Sequence, residues 1–127
     1  MRIEVDNAII KIPNFEPIEF DCKCGCGFNN IQGRFVWTLQ QARTEAQIPF
    51  HITSGCRCPE WNKEVGGSLS SDHLKGEAAD VFVNTSRNRF RVINAAISAG
   101  IKRIGIGKTF VHLGYNWNNT QEVLWLY

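Results

Sequence analysis

Ser71-Asp72-His73-Leu74-Lys75-Gly76-Glu77-Ala78-Ala79-Asp80-Val81-Phe82-Val83 is the segment in which a polar, glycine-bounded loop turns into an apolar strand. Asp80 sits inside that otherwise apolar run. Burying a carboxylate there is costly unless it is paired or bound to a cation. His73, seven residues earlier, offers a neutral imidazole, so one divalent metal would satisfy both groups. Zinc accepts such mixed nitrogen and oxygen ligands, and a reactive site needs three protein ligands plus an open position. Two other histidines can supply the third. His112 lies in the strand-like Thr109–Leu113, and His51 precedes Ser54-Gly55. On spacing alone either could reach. The ordinary alternatives are that these histidines are plain core or surface residues and that Asp80 pairs with Arg57 or Lys75.

Working outward, Asn29 to Ala46 reads as a helix. Asn29 or Asn30 would cap it, Gln32 would close a capping box, and Phe35, Leu39 and Ala42 share one face. Phe50–Thr53 reads as a strand, followed by a long irregular segment punctuated by Gly66, Gly67 and Gly76. Ala78–Val83 is a buried strand. Arg87–Ala99 is a second helix, capped by Thr85 or Ser86, with Phe90, Ile93 and Ile97 as its apolar stripe and Gly100 as its stop. Three short strands close the chain: Arg103–Ile106, Thr109–Leu113 and Glu122–Tyr127, with turns at Gly105, Gly107 and Asn118-Asn119. Helices and strands mix without regular β-α-β alternation. The expected fold class is α+β, an antiparallel sheet with helices packed on one side.

The chain has 127 residues, of which 43% are hydrophobic and 20% charged, which predicts one domain (1–127) with a core of its own. A net charge of +2 with scattered Lys and Arg argues against a nucleic-acid partner. The amino-terminal MRIEVDNAIIKIPNFEP does not read as a secretory signal, and no stretch reaches transmembrane length, so no membrane partner is expected. Five cysteines fall in two groups: Cys22, Cys24 and Cys26 in DCKCGCG, and Cys56 and Cys58 in GCRCP. A structural zinc site prefers C-x₂-C, so the expected role is bracing of two loops, by disulfides or otherwise, with at least one thiol left free.

The run SDHLKGEAAD fills every fixed position of S-x-H-x-x-G-x-A-x-D with Ser71, His73, Gly76, Ala78 and Asp80. That pattern resembles the signature of the zinc D-alanyl-D-alanine carboxypeptidases and their endopeptidase relatives, among them phage endolysins, whose fold the animal hedgehog domain shares. The flanking ITSGCRCPEWNKEVGG and GKTFVHL resemble the family's substrate-side segment and its last ligand strand, so the likeness runs from about residue 20 to 127. It implies that His73, Asp80 and His112 hold Zn2+, and that Arg57 stands beside the metal to bind a substrate carboxylate or a developing oxyanion. It further implies that Ser54 and Ser71 shape the substrate pocket, and that the partner is a peptidoglycan stem peptide cleaved by a monomer, of phage or prophage type. One departure stands out. Where many relatives carry an acidic residue, three before or two after the last ligand, this chain has Thr109 and Gly114. Glu77 and Glu122 are the remaining candidates for a general base. Two other functions compete: a zinc-containing binding module on the same fold, and a structural-zinc or redox protein built on the cysteines.

Overall fold

The computed structural model describes residues 1–127 and is α+β. A two-stranded hairpin, β1 (Arg2–Val5) and β2 (Ala8–Lys11), opens the chain. Asp6 and Asn7 link its strands, both at positive φ (50° and 67°), as a two-residue turn matched to strand twist requires. Then come α1 (Gly33–Ala46), β3 (Ile52–Ser54), the short α2 (Pro59–Glu64) and a 3-10 turn over Asp72–Lys75. The remainder is β4 (Ala78–Phe82), α3 (Ser86–Ser98), β5 (Arg103–Ile106), β6 (Phe110–Gly114) and β7 (Val123–Leu126). No helix is long and apolar enough to cross a membrane.

Five strands form one sheet in the order β3-β4-β6-β5-β7. It is antiparallel except for β5 and β7, which pair parallel. The two-residue period of a strand then sorts the side chains. Ala79, Val81, Val111, Leu113 and Ile104 enter the core beneath α1 and α3. Asp80 and His112, direct cross-strand partners, go to the opposite face.

Helix α1 begins later than the capping pattern suggests. Its N-cap is Gln32, without a side-chain cap, because Asn29 is occupied with Pro17 and Asp21. Phe35, Leu39 and Ala42 are buried as expected. On α3 the expected cap holds, with Thr85 Oγ1 accepting from the Asn88 N–H, but of the expected apolar stripe only Ile93 packs against the core. Phe90 and Ile97 are 68% and 57% exposed, and the helix buries Val92, Ala95 and Ala96 instead. Small residues let α3 approach α1 and β6 closely. Gly105 is not a turn either: it lies within β5, where a Cβ would meet the rings of Trp125 and Tyr127. The segment expected to be irregular contains α2 and the 3-10 turn.

Gly55 is a position where space, not φ, demands glycine. A Cβ there would come within 2.8 Å of Phe20 Cα and 2.9 Å of the Phe20 carbonyl oxygen, which are backbone atoms with nowhere to go. We expect Gly55→Ala to lower stability by about 1–3 kcal/mol, the range for overpacking a core, read as a shifted urea midpoint with unchanged slope.

Candidate metal centre

His73 is held by the 3-10 turn that Ser71 caps: Ser71 Oγ accepts from the His73 N–H at 3.3 Å, and Gly76, at φ 67°, ends the turn. Gly76 also packs against Asn30, where a Cβ would collide with the backbone carbonyl. Strands β4 and β6 deliver Asp80 and His112 side by side. The three donor atoms form a nearly equilateral triangle. Asp80 Oδ1 lies 3.2 Å from His73 Nε2 and 3.1 Å from His112 Nδ1, and the two ring nitrogens are 3.2 Å apart. All three residues are buried.

The protons in this triangle are constrained. His73 Nδ1 lies 2.7 Å from the Gly55 carbonyl oxygen, which can only accept, so the ring's N–H belongs there. With its proton on Nδ1, the metal-binding form of the His73 ring turns its Nε2 lone pair toward Asp80 Oδ1, itself an acceptor. Two lone pairs facing at 3.2 Å are unfavourable without a cation between them. A tetrahedral ion with nitrogen and oxygen ligands at about 2.0–2.1 Å spaces its ligands about 3.3 Å apart, close to the triangle's edges. The residues present thus fit a small divalent metal. The Gly55 carbonyl fixes the His73 tautomer and ring orientation, the usual task of a partner behind a metal-bound histidine. Burial pushes the Asp80 carboxyl up, but the adjoining His112 and His73 imidazoles outweigh it and hold the group well below the usual carboxylate range. Burial pushes the His112 imidazole down, favouring the neutral, ligating form, against an opposing pull from Asp80.

The triangle opens into a cleft of about 680 Å³, whose lining includes Gly66, Gly67, Ser70, Phe110, Trp125 and Tyr127. The His112 and Trp125 rings lie 5.3 Å apart, an approach that the missing side chain of Gly105 permits. Arg57 reaches in with Nη2 3.6 Å from Asp80 Oδ2. Its Nε donates to Ser54 Oγ at 3.1 Å and its Nη1 to Asn62 Oδ1 at 3.2 Å. Asn62 is buried and donates in turn to the Ser68 carbonyl. Ser54 thus holds Arg57 and does not line the cleft, whereas Ser71 does both: it caps the His73 turn and lines the cleft.

The structure brings together His73, Asp80, His112, Arg57 and Ser71, with Ser54 behind Arg57, and leaves three candidates outside. His51 is exposed and stacks edge-on with Phe82. Glu77 lines a separate depression with Glu4 and Arg34. Glu122 is exposed and faces Lys102 at 3.9 Å. A carboxylate that the sequence reading passed over, Asp72, does line the cleft. It is buried, accepts from Arg103 Nε at 2.8 Å and from Asn119 Nδ2 at 2.6 Å, and its Oδ2 fills the space that a side chain at Gly114 would enter. Gly114 and Asp72 are therefore complementary: the glycine that stands in the acidic position makes room for a carboxylate arriving from the His73 turn. Only the adjacency of Asp72 to His73 hinted at this, since Arg103 and Asn119 lie 31 and 47 residues away.

A comparison with curated proteins finds no match. The sequence pattern of the family described as Peptidase M15 matches residues 13–114, a span that takes in Arg57, the whole His73–Asp80 run and His112. With four-fifths of its length matched and three ligand-type side chains converging in one cleft, the chain belongs to the peptidase M15 family.

Proposed function

We propose that the protein is a zinc metallopeptidase hydrolysing peptide bonds in bacterial peptidoglycan stem peptides, with His73, Asp80 and His112 as its metal ligands. The observation that carries this reading is the triangle of two imidazole nitrogens and a carboxylate oxygen at the floor of the cleft, with an anchored arginine beside it. Membership of the peptidase family supports the reaction class. Zinc at this site would supply a Lewis acid that polarises the scissile carbonyl and acidifies water near neutral pH.

The side chains divide the remaining work. Arg57, with Nε and Nη1 engaged by Ser54 and Asn62, presents Nη2 toward the cleft floor, where it can bind a substrate carboxylate or the developing oxyanion. Ser71 holds His73 and borders the substrate. Trp125 and Tyr127 form an apolar wall for substrate to rest on. Asp72 is the cleft carboxylate outside the ligand triangle, and we assign it the proton-accepting role. Asp72→Asn is then expected to retain zinc and to lose about 10²–10⁴-fold in kcat, the usual contribution of a positioned acid or base. Full activity in Asp72→Asn would remove it from that role.

The test is incubation of the purified chain with purified peptidoglycan. Release of free D-alanine marks carboxypeptidase action, and new amino groups within the stem peptides mark endopeptidase action. A chain that sediments with the wall and releases neither would be a binding module on the same fold.

A further inference from the structure

The five cysteines form no disulfide. Four of them, Cys22, Cys24, Cys26 and Cys58, bring their sulfurs within 4.8 Å of one another, apart from the histidine–aspartate triangle. Cys22 Sγ lies 3.5 Å from Cys24 Sγ and 3.8 Å from Cys58 Sγ, and Cys24 Sγ lies 3.8 Å from Cys58 Sγ. These separations are far beyond a sulfur–sulfur bond of about 2.05 Å. They match the edge of a tetrahedron of thiolates around zinc, about 3.8 Å for Zn–S distances of about 2.3 Å.

We propose that Cys22, Cys24, Cys26 and Cys58 form a second, structural metal site that binds zinc through four thiolates.

The backbone is shaped for it. In an extended strand, sulfurs two residues apart are about 7 Å from each other, too far for one ion. Here residues 23–26 form a turn, and Gly25 and Gly27 follow Cys24 and Cys26 at φ 87° and 84°. A Cβ at either glycine would meet nothing within 4 Å, so the requirement for glycine is conformational: the chain must fold back after each cysteine to point both sulfurs inward. Backbone N–H groups aim at three of the sulfurs, from Phe28 to Cys26, from Cys58 to Cys22 and from Trp61 to Cys58, each at 3.4 Å. Such donors stabilise thiolate charge. The odd cysteine is accounted for too. Cys56 is fully buried in the core and donates to Asn29 Oδ1 at 3.5 Å, outside the cluster. The C-x-C-x-C spacing departs from the C-x₂-C template because the two glycine turns do the work of the longer spacer.

The site joins segments 36 residues apart. Cys58 follows Arg57 directly and is the N-cap of α2, the helix that carries Asn62. Metal bound here fixes the turn from which Arg57 reaches the cleft.

The test uses the full chain loaded with cobalt in place of zinc, beside zinc analysis of the purified protein. Two zinc ions per chain are expected. His112→Ala should keep one zinc and retain thiolate-to-cobalt charge-transfer absorption, and Cys26→Ser, left with three thiolates, should hold the second metal more weakly and lose intensity in that absorption. Should Cys26→Ser fail to fold, the wild type decides: its four cluster thiols should resist a thiol reagent until a chelator is added. Absence of thiolate-to-cobalt absorption in the wild type, with the thiols reactive before chelation, would overturn the second site. Because His112→Ala and Cys26→Ser report on different ions, failure of one site is distinguishable from failure of the other.

Discussion

Replacing Asp80 by alanine is expected to abolish both tight zinc binding at the histidine pair and peptide hydrolysis, leaving activity at the background of the buffer. The side chain removed is the anion of the triangle, 3.1–3.2 Å from both imidazole nitrogens. Without it, two histidines remain, one ligand fewer than a reactive zinc site uses. Arg57 loses its ion-pair partner as well. Stranding one partner of a largely buried pair typically costs about 3–5 kcal/mol, so the melting temperature should also fall. Asp80→Asn separates the two effects. It keeps the shape and one ligand-type oxygen but not the charge, so metal affinity should drop while much of the fold's stability returns. Equilibrium dialysis against zinc and thermal melting of the two variants read these outcomes directly.

Arg57→Lys is expected to leave zinc bound at the triangle and to lower kcat by about 10²–10³-fold, the loss seen when one oxyanion-stabilising donor is removed. The reason is geometric. Arg57 spends Nε on Ser54 and Nη1 on Asn62, and only then presents Nη2 toward the cleft floor. A lysine ammonium is a single point on a flexible stem and cannot be anchored twice while reaching forward. Asn62→Ala, which removes one anchor, should produce a smaller loss of the same kind. Unchanged kcat in Arg57→Lys would mean that any cation suffices there.

The residues proposed as ligands stood out in the sequence because their chemistry is anomalous where it stands. A carboxylate within AADVFV must be explained, and a histidine in a glycine-bounded turn seven residues away supplies the partner. His112 required the resemblance, since His51 was equally available on spacing. Strand β5 was legible to the residue because Gly100 ends α3 cleanly and Ile104 and Ile106 mark a short apolar run. The parallel pairing of β5 with β7 was not, because parallel and antiparallel ladders place the same residues in strands. The α3 stripe was misread for a simple reason. The large residues Phe90 and Ile97 lie on the exposed face, while close packing on α1 selects Ala95 and Ala96. The opening hairpin was overlooked because its Asp6-Asn7 turn lacks the glycine of the usual signal. Asp72 occupies an unspecified position of the motif, and its role emerges only when Arg103, Asn119 and Gly114 are brought around it.

The most direct test of the histidine–aspartate centre is a paired measurement on wild type and His112→Ala: zinc per chain, and hydrolysis of purified peptidoglycan. The triangle of His73, Asp80 and His112 requires His112→Ala to hold one zinc fewer than wild type and to release no new amino groups or D-alanine. Unchanged zinc content together with full hydrolysis in His112→Ala would contradict it.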